Sequence, residues 1–421
     1  MIEIFKSLEK YNFWAEEKTI PVGFVRTAGL QKLKPFCGTR LVKVIVGQRR
    51  VGKSYLLRQL IDLMRKQGVL PKNIFYLNKE LIEFDAIKTY RDLDQLIRFT
   101  KKKLKIKGKM TILLDEVQEI EGWEKIVNSL SQDYTDDYEL FITGSNSTML
   151  SSELSTLLSG RFVSFELLPF SYEEYIAFKK IPVGKVSYLE YLQTGGLPEL
   201  FHLQEEEQKR HYINSLKDTI LLKDIVTRYQ IKNAALLERV FLFLTDNIGN
   251  LFSQHSIVQY LSSHYEKTNH ETLSNYLRFL TECFLIHEVP RFDIKGKSIL
   301  SGNKKYYLND LSFRKFLHSG FDLGLGKHLE NSIYLHYRSR GYRISVGSFG
   351  KQEVDFIVEK DGVKHYLQVA YSIQDQAVLK RELEPLKNIR DSYQKTIISL
   401  DDVSFGNVEG IRHVLAWELG E

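Results

Sequence analysis

The residues from Gly47 to Ser54 have the types and the spacing needed to bind a chain of phosphates. They fit the pattern GxxxxGK[ST] at every fixed position. Because a glycine has no Cβ, the backbone N–H groups at such positions can approach phosphate oxygens closely. Lys53 is expected to contact the β- and γ-phosphates of a nucleotide, and the Ser54 hydroxyl to ligate Mg²⁺. The predicted nucleotide-binding residues are Gly47, Gln48, Arg49, Arg50, Val51, Gly52, Lys53, Ser54 and Tyr55.

An apolar run that ends in two carboxylates supplies the second part of this chemistry. Residues 111–116 read Thr-Ile-Leu-Leu-Asp-Glu. Asp115 is expected to hold Mg²⁺, directly or through water, and Glu116 to polarise the water that attacks the γ-phosphate. An apolar strand capped by acids is common at surface turns, so the preceding phosphate loop gives this assignment its weight.

Two further residues are candidates for catalytic contacts. Asn146 follows the apolar run 140–143, and its amide, or the Ser145 hydroxyl, can bond the γ-phosphate or the attacking water. The alternative is a plain Asx turn. Arg161 can stabilise developing charge as an arginine finger does, in its own subunit or in a neighbouring one. An ordinary surface arginine explains Arg161 equally well.

Alternating β-rich and helical runs must position these residues. The predicted strands span 41–46, 74–77, 111–114, 140–143 and 162–167. The predicted helices between them include 53–65 and 123–130. Uninterrupted apolar strands that alternate with helices indicate a mostly parallel sheet covered on both faces. The predicted fold class is therefore α/β, a P-loop NTPase sheet with helices on both faces.

Motifs along nearly the whole chain resemble those of AAA-type ATP-binding proteins of bacteria and archaea, which carry a C-terminal domain of unknown function. The matching segments are 46–54, 114–118, 142–145, 160–161, 168–175, 194–199, 353–356 and 368–369. Gln48 stands where many members of that family have proline. The resemblance implies that the chain binds ATP and hydrolyses it, and it favours adenine over guanine.

The segment after residue 230 resembles a winged helix-turn-helix module. Helices are predicted at 234–244, 256–263 and 270–283, and β-like runs at 286–289 and 306–308. On the third helix Thr272, Asn275 and Arg278 are expected to face outward, where they can reach bases or phosphates of duplex DNA. Lys304 and Lys305 lie on the presumed wing. Such modules also bind proteins, so duplex DNA and an unidentified protein both stay open as partners.

The last hundred residues raise the question of a nuclease. Glu330, then Asp355, then Gln368 and Ala370 follow the order of a restriction-endonuclease-like site. That chemistry needs a second acidic ligand and a lysine where Gln368 and Ala370 stand. We therefore predict a degenerate small α/β domain without nuclease activity. A plain α/β packing domain is the alternative.

Length and composition predict a globular protein with several domains. The chain has 421 residues, of which 43% are hydrophobic and 27% are charged. The predicted domains are a lead-in at 1–40, the ATPase domain at 41–230, the winged-helix-like domain at 231–320 and the α/β domain at 321–421. Two cysteines exclude a disulfide framework, and no run approaches the ~18 apolar residues of a membrane helix, so a cytoplasmic location without membrane contact is expected.

Charge leaves the partners open. The net charge of +6 permits an anionic partner without requiring one. The lysine cluster within residues 101–109 is most simply interpreted as a solvated helix end. The first functional hypothesis is a Mg²⁺-dependent ATPase that couples its nucleotide state to conformational change, with DNA as one candidate partner and a homo-oligomer as one candidate assembly. The alternative is a nucleotide-switched signalling or scaffold protein with little intrinsic hydrolysis.

Overall fold

The computed structural model describes residues 1–15, 18–147, 158, 160–265, 267–318, 324–350 and 352–419. It contains two compact units, Met1–Leu167 and Leu168–Glu421. The helices of the first unit are α1 (Ile2–Tyr11), α2 (Thr27–Leu33), α3 (Lys53–Lys66), α4 (Tyr90–Lys103) and α5 (Trp123–Gln132). Its strands are β1 (Val42–Val46), β2 (Ile74–Asn78), β3 (Met110–Asp115), β4 (Tyr138–Gly144) and β5 (Phe162–Glu166).

The five strands of the first unit form one parallel sheet in the order β2-β3-β4-β1-β5. Every residue of β1, β3 and β4 is buried. Because successive side chains of a strand point to opposite faces, this burial means that both faces of the sheet are covered. The predicted α/β fold with a P-loop NTPase sheet is confirmed.

The second unit contains helices and a larger sheet. Its helices are α6 (Tyr172–Lys179), α7 (Lys185–Thr194), α8 (Glu206–Thr219), α9 (Ala234–Asp246), α10 (Gln254–His264), α11 (His270–Glu282), α12 (Ser312–Leu317), α13 (Leu325–Ser339) and α14 (Gln376–Asn388). Helix α8 continues into a π-helical segment, Ile220–Thr227. The strands are β6 (Leu251–Phe252), β7 (Ile286–Asp293), β8 (Ser298–Leu308), β9 (Arg343–Phe349), β10 (Gln352–Lys360), β11 (Val363–Ala370), β12 (Gln394–Ser399), β13 (Asn407–Val408) and β14 (Ile411–Leu415).

All of these later strands join one mixed sheet, in the order β13-β14-β12-β11-β10-β9-β7-β8-β6. Parallel pairing of β7 with β9, from Arg291 opposite Val346 to Asp293 opposite Ser348, joins the hairpin β7–β8 to the C-terminal strands. The structure therefore differs from the predicted boundary at 320, which falls inside one compact unit. Residues 168–230, predicted to extend the ATPase domain, also belong to this second unit. Periodicity in a sequence marks strands but does not show which strands pair.

Helix α11 has the buried stripe that its sequence predicts. Leu273, Tyr276, Leu277 and Leu280 are all buried. The order of three helices followed by a hairpin is also as predicted. Within the described ranges, none of the helices has the length and apolar character needed to cross a membrane.

Candidate nucleotide-binding site

The predicted phosphate loop lies between the end of β1 and the start of α3, and its backbone requires glycine. At Gly52 φ is 99°, in the left-handed region that favours glycine. A Cβ on Gly47 would lie 2.3 Å from the carbonyl oxygen of Leu167, a distance that excludes any side chain. The loop therefore places its backbone at the N-terminus of a fourteen-residue helix, whose dipole favours anions.

Lys53 lies within this loop and also contacts the acidic strand end. Its side chain is only 4% exposed. The Nζ atom lies 3.1 Å from the carbonyl oxygen of Gly47 and 3.2 Å from that of Gln48. The same atom lies 3.1 Å from Oε1 of Glu116. The structure thus brings together the predicted phosphate-binding lysine and the predicted catalytic carboxylate.

Asp115, the predicted metal ligand, is held by donors from both neighbouring strands. Tyr76 of β2 donates its hydroxyl to Oδ2 at 2.9 Å, and Thr143 of β4 donates to Oδ1 at 2.6 Å. The Ser54 side chain also hydrogen-bonds this carboxylate. Burial raises the pKa of Asp115, and these hydrogen bonds offset part of that rise. Ser54 and Asp115, the two predicted Mg²⁺ ligands, are therefore in contact.

Glu116 is held in an unusual backbone conformation beside its neighbours. Its φ is 54°, and its backbone N–H donates to the Thr143 hydroxyl at 2.9 Å. Gln118 donates to Oε2 at 2.6 Å. Burial by itself would raise the pKa of Glu116, but the Lys53 ammonium, Gln118 and Arg49 outweigh it and lower the pKa to about 2. The side chain is therefore an ionised carboxylate.

The other predicted loop residues differ in their surroundings. Gln48 and Val51 are buried. Arg49 is buried and forms an ion pair with Glu80. Arg50 is exposed, with φ at 71°. Tyr55 is half exposed, and the Arg58 guanidinium lies 4.0 Å from its ring centre.

Asn146 lies at the same edge of the sheet as the phosphate loop. It follows the carboxyl end of β4 and is 1% exposed. The neighbouring Ser145 hydroxyl lies 3.4 Å from Nε2 of Gln118, the residue that binds Glu116. This location is compatible with the predicted role of Asn146, which stays a prediction.

Arg161 lies at the amino ends of the strands, opposite the ends that carry the phosphate loop. Its carbonyl oxygen accepts the backbone N–H of Val42, the first residue of β1, whereas the phosphate loop follows Val46 at the other end of that strand. Four residue steps of about 3.3 Å separate the two ends by about 13 Å. This placement does not favour contact with the phosphate loop of the same subunit, which is one of the two alternatives that the sequence leaves open. Action on a neighbouring copy stays a prediction.

Sequence reasoning missed the roles of Tyr76, Thr143 and Gln118. Thr143 lies within the segment 142–145 that carries the family resemblance, but the motif by itself gives its hydroxyl no role. Its position between Asp115 and the backbone of Glu116 becomes visible only when β4 lies beside β3. Tyr76 is a single tyrosine in an apolar strand, and no motif in the sequence marks it.

Comparison with known proteins gives the family. A model described as "AAA domain" matches residues 39–176, and one described as "Domain of unknown function (DUF8612)" matches residues 185–326. An uncharacterized protein of Haemophilus influenzae is 36% identical over 397 residues, which cover 93% of this chain and 97% of that protein. The chain belongs to the same family as this Haemophilus protein, and it contains an AAA domain.

More distant similarities extend to archaea. An uncharacterized protein of Methanocaldococcus jannaschii is 29% identical over 386 residues, 87% of this chain and 84% of that protein. The structure of a Walker-type ATPase of Pyrococcus abyssi has a TM-score of 0.49 and 17% identity, and covers 70% of this chain and 96% of its own. The Aeropyrum pernix Orc1 protein in complex with DNA has a TM-score of 0.32 and 15% identity, with 70% and 93% covered. Structural likeness at these TM-scores does not bear on function.

Outside the AAA domain, the predicted DNA-contacting residues have different environments. Thr272 and Asn275 are partly exposed, and they line an open groove of about 700 Å³ with Lys267. Arg278 is exposed, but its guanidinium lies 3.6 Å from Glu282 and stacks on a phenylalanine ring. Lys304 is partly exposed and pairs with a glutamate at 2.5 Å. A role for these four residues in DNA binding stays a prediction.

Lys305 is not available for DNA. Its side chain is 4% exposed, and Nζ lies 2.9 Å from Glu330, 2.8 Å from Glu353 and 3.7 Å from Asp355. The hydroxyl of Tyr307 also donates to Glu330 at 2.6 Å. The prediction that Lys305 contacts the DNA backbone is therefore wrong, because a buried ammonium bound by three carboxylates cannot reach phosphates.

The acidic residues of the suspected nuclease site surround this lysine. Asp355 also accepts the backbone N–H of Val369 at 2.8 Å, and Gln368 donates to Glu382 at 2.8 Å. Over the described part of the chain, no group of His, Cys, Asp and Glu has the arrangement of a metal site. Both the likeness to restriction endonucleases and the absence of nuclease activity stay predictions.

Proposed function

We propose that the AAA domain binds ATP with Mg²⁺ and hydrolyses it. The observation that carries this proposal is the convergence of four side chains from two separate segments. Lys53 contacts Glu116 at 3.1 Å, and Ser54 contacts Asp115. These are the types of side chain that phosphoryl transfer to water requires: a cation for phosphate oxygens, oxygen ligands for a metal and a carboxylate for water.

Each of these residues has a distinct role in the proposed reaction. Lys53 binds phosphate oxygens together with the backbone N–H groups of the loop. The Ser54 hydroxyl and the Asp115 carboxylate are oxygen ligands of the kind Mg²⁺ prefers, and they would hold the ion where it neutralises the β- and γ-phosphates. Tyr76 and Thr143 fix the direction of the Asp115 carboxylate. Glu116, already ionised, accepts a hydrogen bond from the attacking water and orients it.

The ion pair between Lys53 and Glu116 links binding to hydrolysis. One ammonium group contacts the loop carbonyls and Glu116 at the same time. When Lys53 turns toward phosphate oxygens, the carboxylate loses its main counter-ion and becomes free to bind water. Gln118 still holds the second oxygen of Glu116 at 2.6 Å. Nucleotide binding is thereby expected to rearrange the end of β3.

Two pairs of variants test the proposal. Lys53→Ala should abolish ATP binding, measured by titration calorimetry, whereas Lys66→Ala, on the exposed end of the same helix, should leave it intact. Glu116→Gln should bind ATP and stop turnover, while Glu121→Gln, at a nearby exposed position, should turn over normally. Unchanged affinity in Lys53→Ala, or full turnover in Glu116→Gln, would refute the assignment.

A nucleotide-switched binding protein is the second candidate. Both carboxylate oxygens of Glu116 already have partners in this conformation: Lys53 contacts Oε1 and Gln118 donates to Oε2. This favours the second candidate, because neither oxygen is free to bind water. Such a site is expected to hydrolyse ATP slowly until a partner releases the carboxylate. Gln118→Ala distinguishes the candidates: turnover that rises in this variant indicates a restrained switch, whereas turnover that falls indicates an active site for which Gln118 is a positioning residue.

A further inference from the structure

The lysine cluster after helix α4 is part of an ordered turn rather than a frayed helix end. The backbone N–H groups of Lys105 and Ile106 bond to the carbonyls of Lys102 and Lys101, at 3.2 and 3.0 Å. Lys105 has φ at 49°, the left-handed conformation in which helices usually carry glycine. Ile106 is 7% exposed and anchors the turn. Asn73 also donates to the carbonyl of Lys107 at 3.2 Å. The charges are therefore presented by a fixed backbone.

Most lysines of this cluster have no counter-ion among the residues that the structure describes. Lys101 pairs with Asp136, and Nζ of Lys109 lies 3.8 Å from Asp137. Four lysines make no ion pair with any residue that the structure describes, namely Lys102, Lys103, Lys105 and Lys107. Because like charges this close repel one another, their grouping favours an anionic partner.

Three of these four lysines line one open groove at this surface. A concave groove of about 480 Å³ is lined by Arg98, Lys102, Lys105 and Lys107. The groove is open to solvent, so an extended strand can lie along it. The turn that precedes Asp136, another lining residue, carries Tyr134, which is 90% exposed. Asp136 forms an ion pair with Lys101 at this groove, so the exposed ring is only two residues along the chain from the groove lining. Aromatic rings and lysines are the side chains that bind an unpaired base and its phosphates.

We propose that this groove binds single-stranded nucleic acid, with the lysines on the phosphodiester backbone and the Tyr134 ring stacked on a base. The surface lies at the amino edge of the sheet, where β3 begins at Met110, while the nucleotide site follows Asp115 at the other end. About 17 Å of strand separates the two. The proposal does not depend on the proposed ATPase function, and Lys53→Ala should bind nucleic acid as the wild type does.

Fluorescence anisotropy with a labelled oligonucleotide of about 20 nucleotides tests this proposal, with salt varied from about 50 to 200 mM. Lys105→Gln/Lys107→Gln should weaken binding by about tenfold or more and lower the slope of log K against log salt by about 1.4, or 0.7 per lost phosphate contact. Lys88→Gln/Lys125→Gln removes equal charge elsewhere on the same unit and should change neither quantity. Tyr134→Ala should weaken binding by about tenfold, and Tyr134→Phe should restore it, since stacking needs only the ring.

Three outcomes would overturn the proposal. The first is the absence of binding at the lowest salt. The second is an equal loss of affinity in the two lysine double variants, which would indicate attraction by net charge alone. The third is patch-dependent binding to phosphatidylserine vesicles without binding to the oligonucleotide, which would assign the groove to lipid headgroups. Circular dichroism of each variant verifies that a loss of binding is not a loss of fold.

Discussion

Replacement of Lys305 by methionine should strongly destabilise the second unit, although this position reads as a solvated wing in the sequence. Methionine keeps the length of the apolar stem but removes the ammonium, and three carboxylates then face one another. Glu330 and Asp355 are only 16% and 14% exposed, whereas Glu353 is 36% exposed. Removing one partner of a buried ion pair costs about 3–5 kcal/mol, because the remaining charge is left uncompensated. With a denaturant slope of about 3 kcal/mol/M, the urea midpoint should fall by about 1 to 1.7 M.

The neighbouring lysine is a matched control. Lys304 pairs with Glu288 at 2.5 Å, but both side chains are about one-third exposed, at 33% and 34%. Exposed pairs of this kind contribute about 0–1 kcal/mol, so Lys304→Met should move the midpoint by no more than about 0.3 M. Fluorescence of Trp417 reports the unfolding of the second unit. The other tryptophans of the chain, Trp14 and Trp123, lie in the first unit. Unfolding is followed by Trp417 fluorescence in a background where the other two are phenylalanine.

The loss of stability caused by Lys305→Met should also depend on pH. Burial and the Glu330 carboxylate raise the pKa of Asp355 to about 7, although Lys305 opposes them. In the unfolded chain an aspartate carboxyl has a pKa of about 3.9, so between this pH and the folded pKa of about 7 the folded state holds a proton that the unfolded state releases. The contribution of Asp355 to stability therefore falls as pH rises through this interval. Without Lys305 the pKa of Asp355 in the folded state moves higher. The stability deficit of Lys305→Met relative to the wild type should therefore grow from pH 6 to pH 8.5. Equal midpoints for the two lysine variants, or a deficit independent of pH, would refute this reasoning.

Three further predictions concern the first unit. Gly47→Ala should raise the dissociation constant for ATP at least tenfold in a calorimetric titration, because its Cβ would lie 2.3 Å from a backbone oxygen and the loop must shift; affinity within twofold of the wild type would contradict this. Thr143→Val removes the hydroxyl that contacts both Asp115 and Glu116, and leaving these partners unsatisfied costs about 1–3 kcal/mol of interaction free energy. The Mg²⁺ concentration for half-maximal turnover should therefore rise about tenfold. Thr143→Ser, which keeps the hydroxyl, should stay near the wild type. Arg161→Ala should bind ATP with unchanged affinity, since Arg161 lies at the far edge of the sheet; a fivefold loss of affinity would show that this placement is incorrect.

The local elements and the loop of the nucleotide site could be predicted from the order of residues alone. Apolar runs of strand length marked β1, β3 and β4, and the helix after the loop begins at Lys53 as the pattern predicts. These features can be predicted from the sequence because they depend on residues that are close together in the chain. A glycine at a strand-to-helix turn and an apolar stripe with helical spacing express local backbone and burial preferences.

The contacts between residues far apart in the chain could not be predicted in this way and are seen only in the folded protein. Pairing of β3 with β2 and β4 brings the hydroxyls of Tyr76 and Thr143 to Asp115, and the direction of β5 carries Arg161 away from the phosphate loop. The single sheet of the second unit likewise buries Lys305 among carboxylates that follow it in the chain. Such contacts depend on strand order and register, which pairing between distant segments sets and which no local pattern encodes.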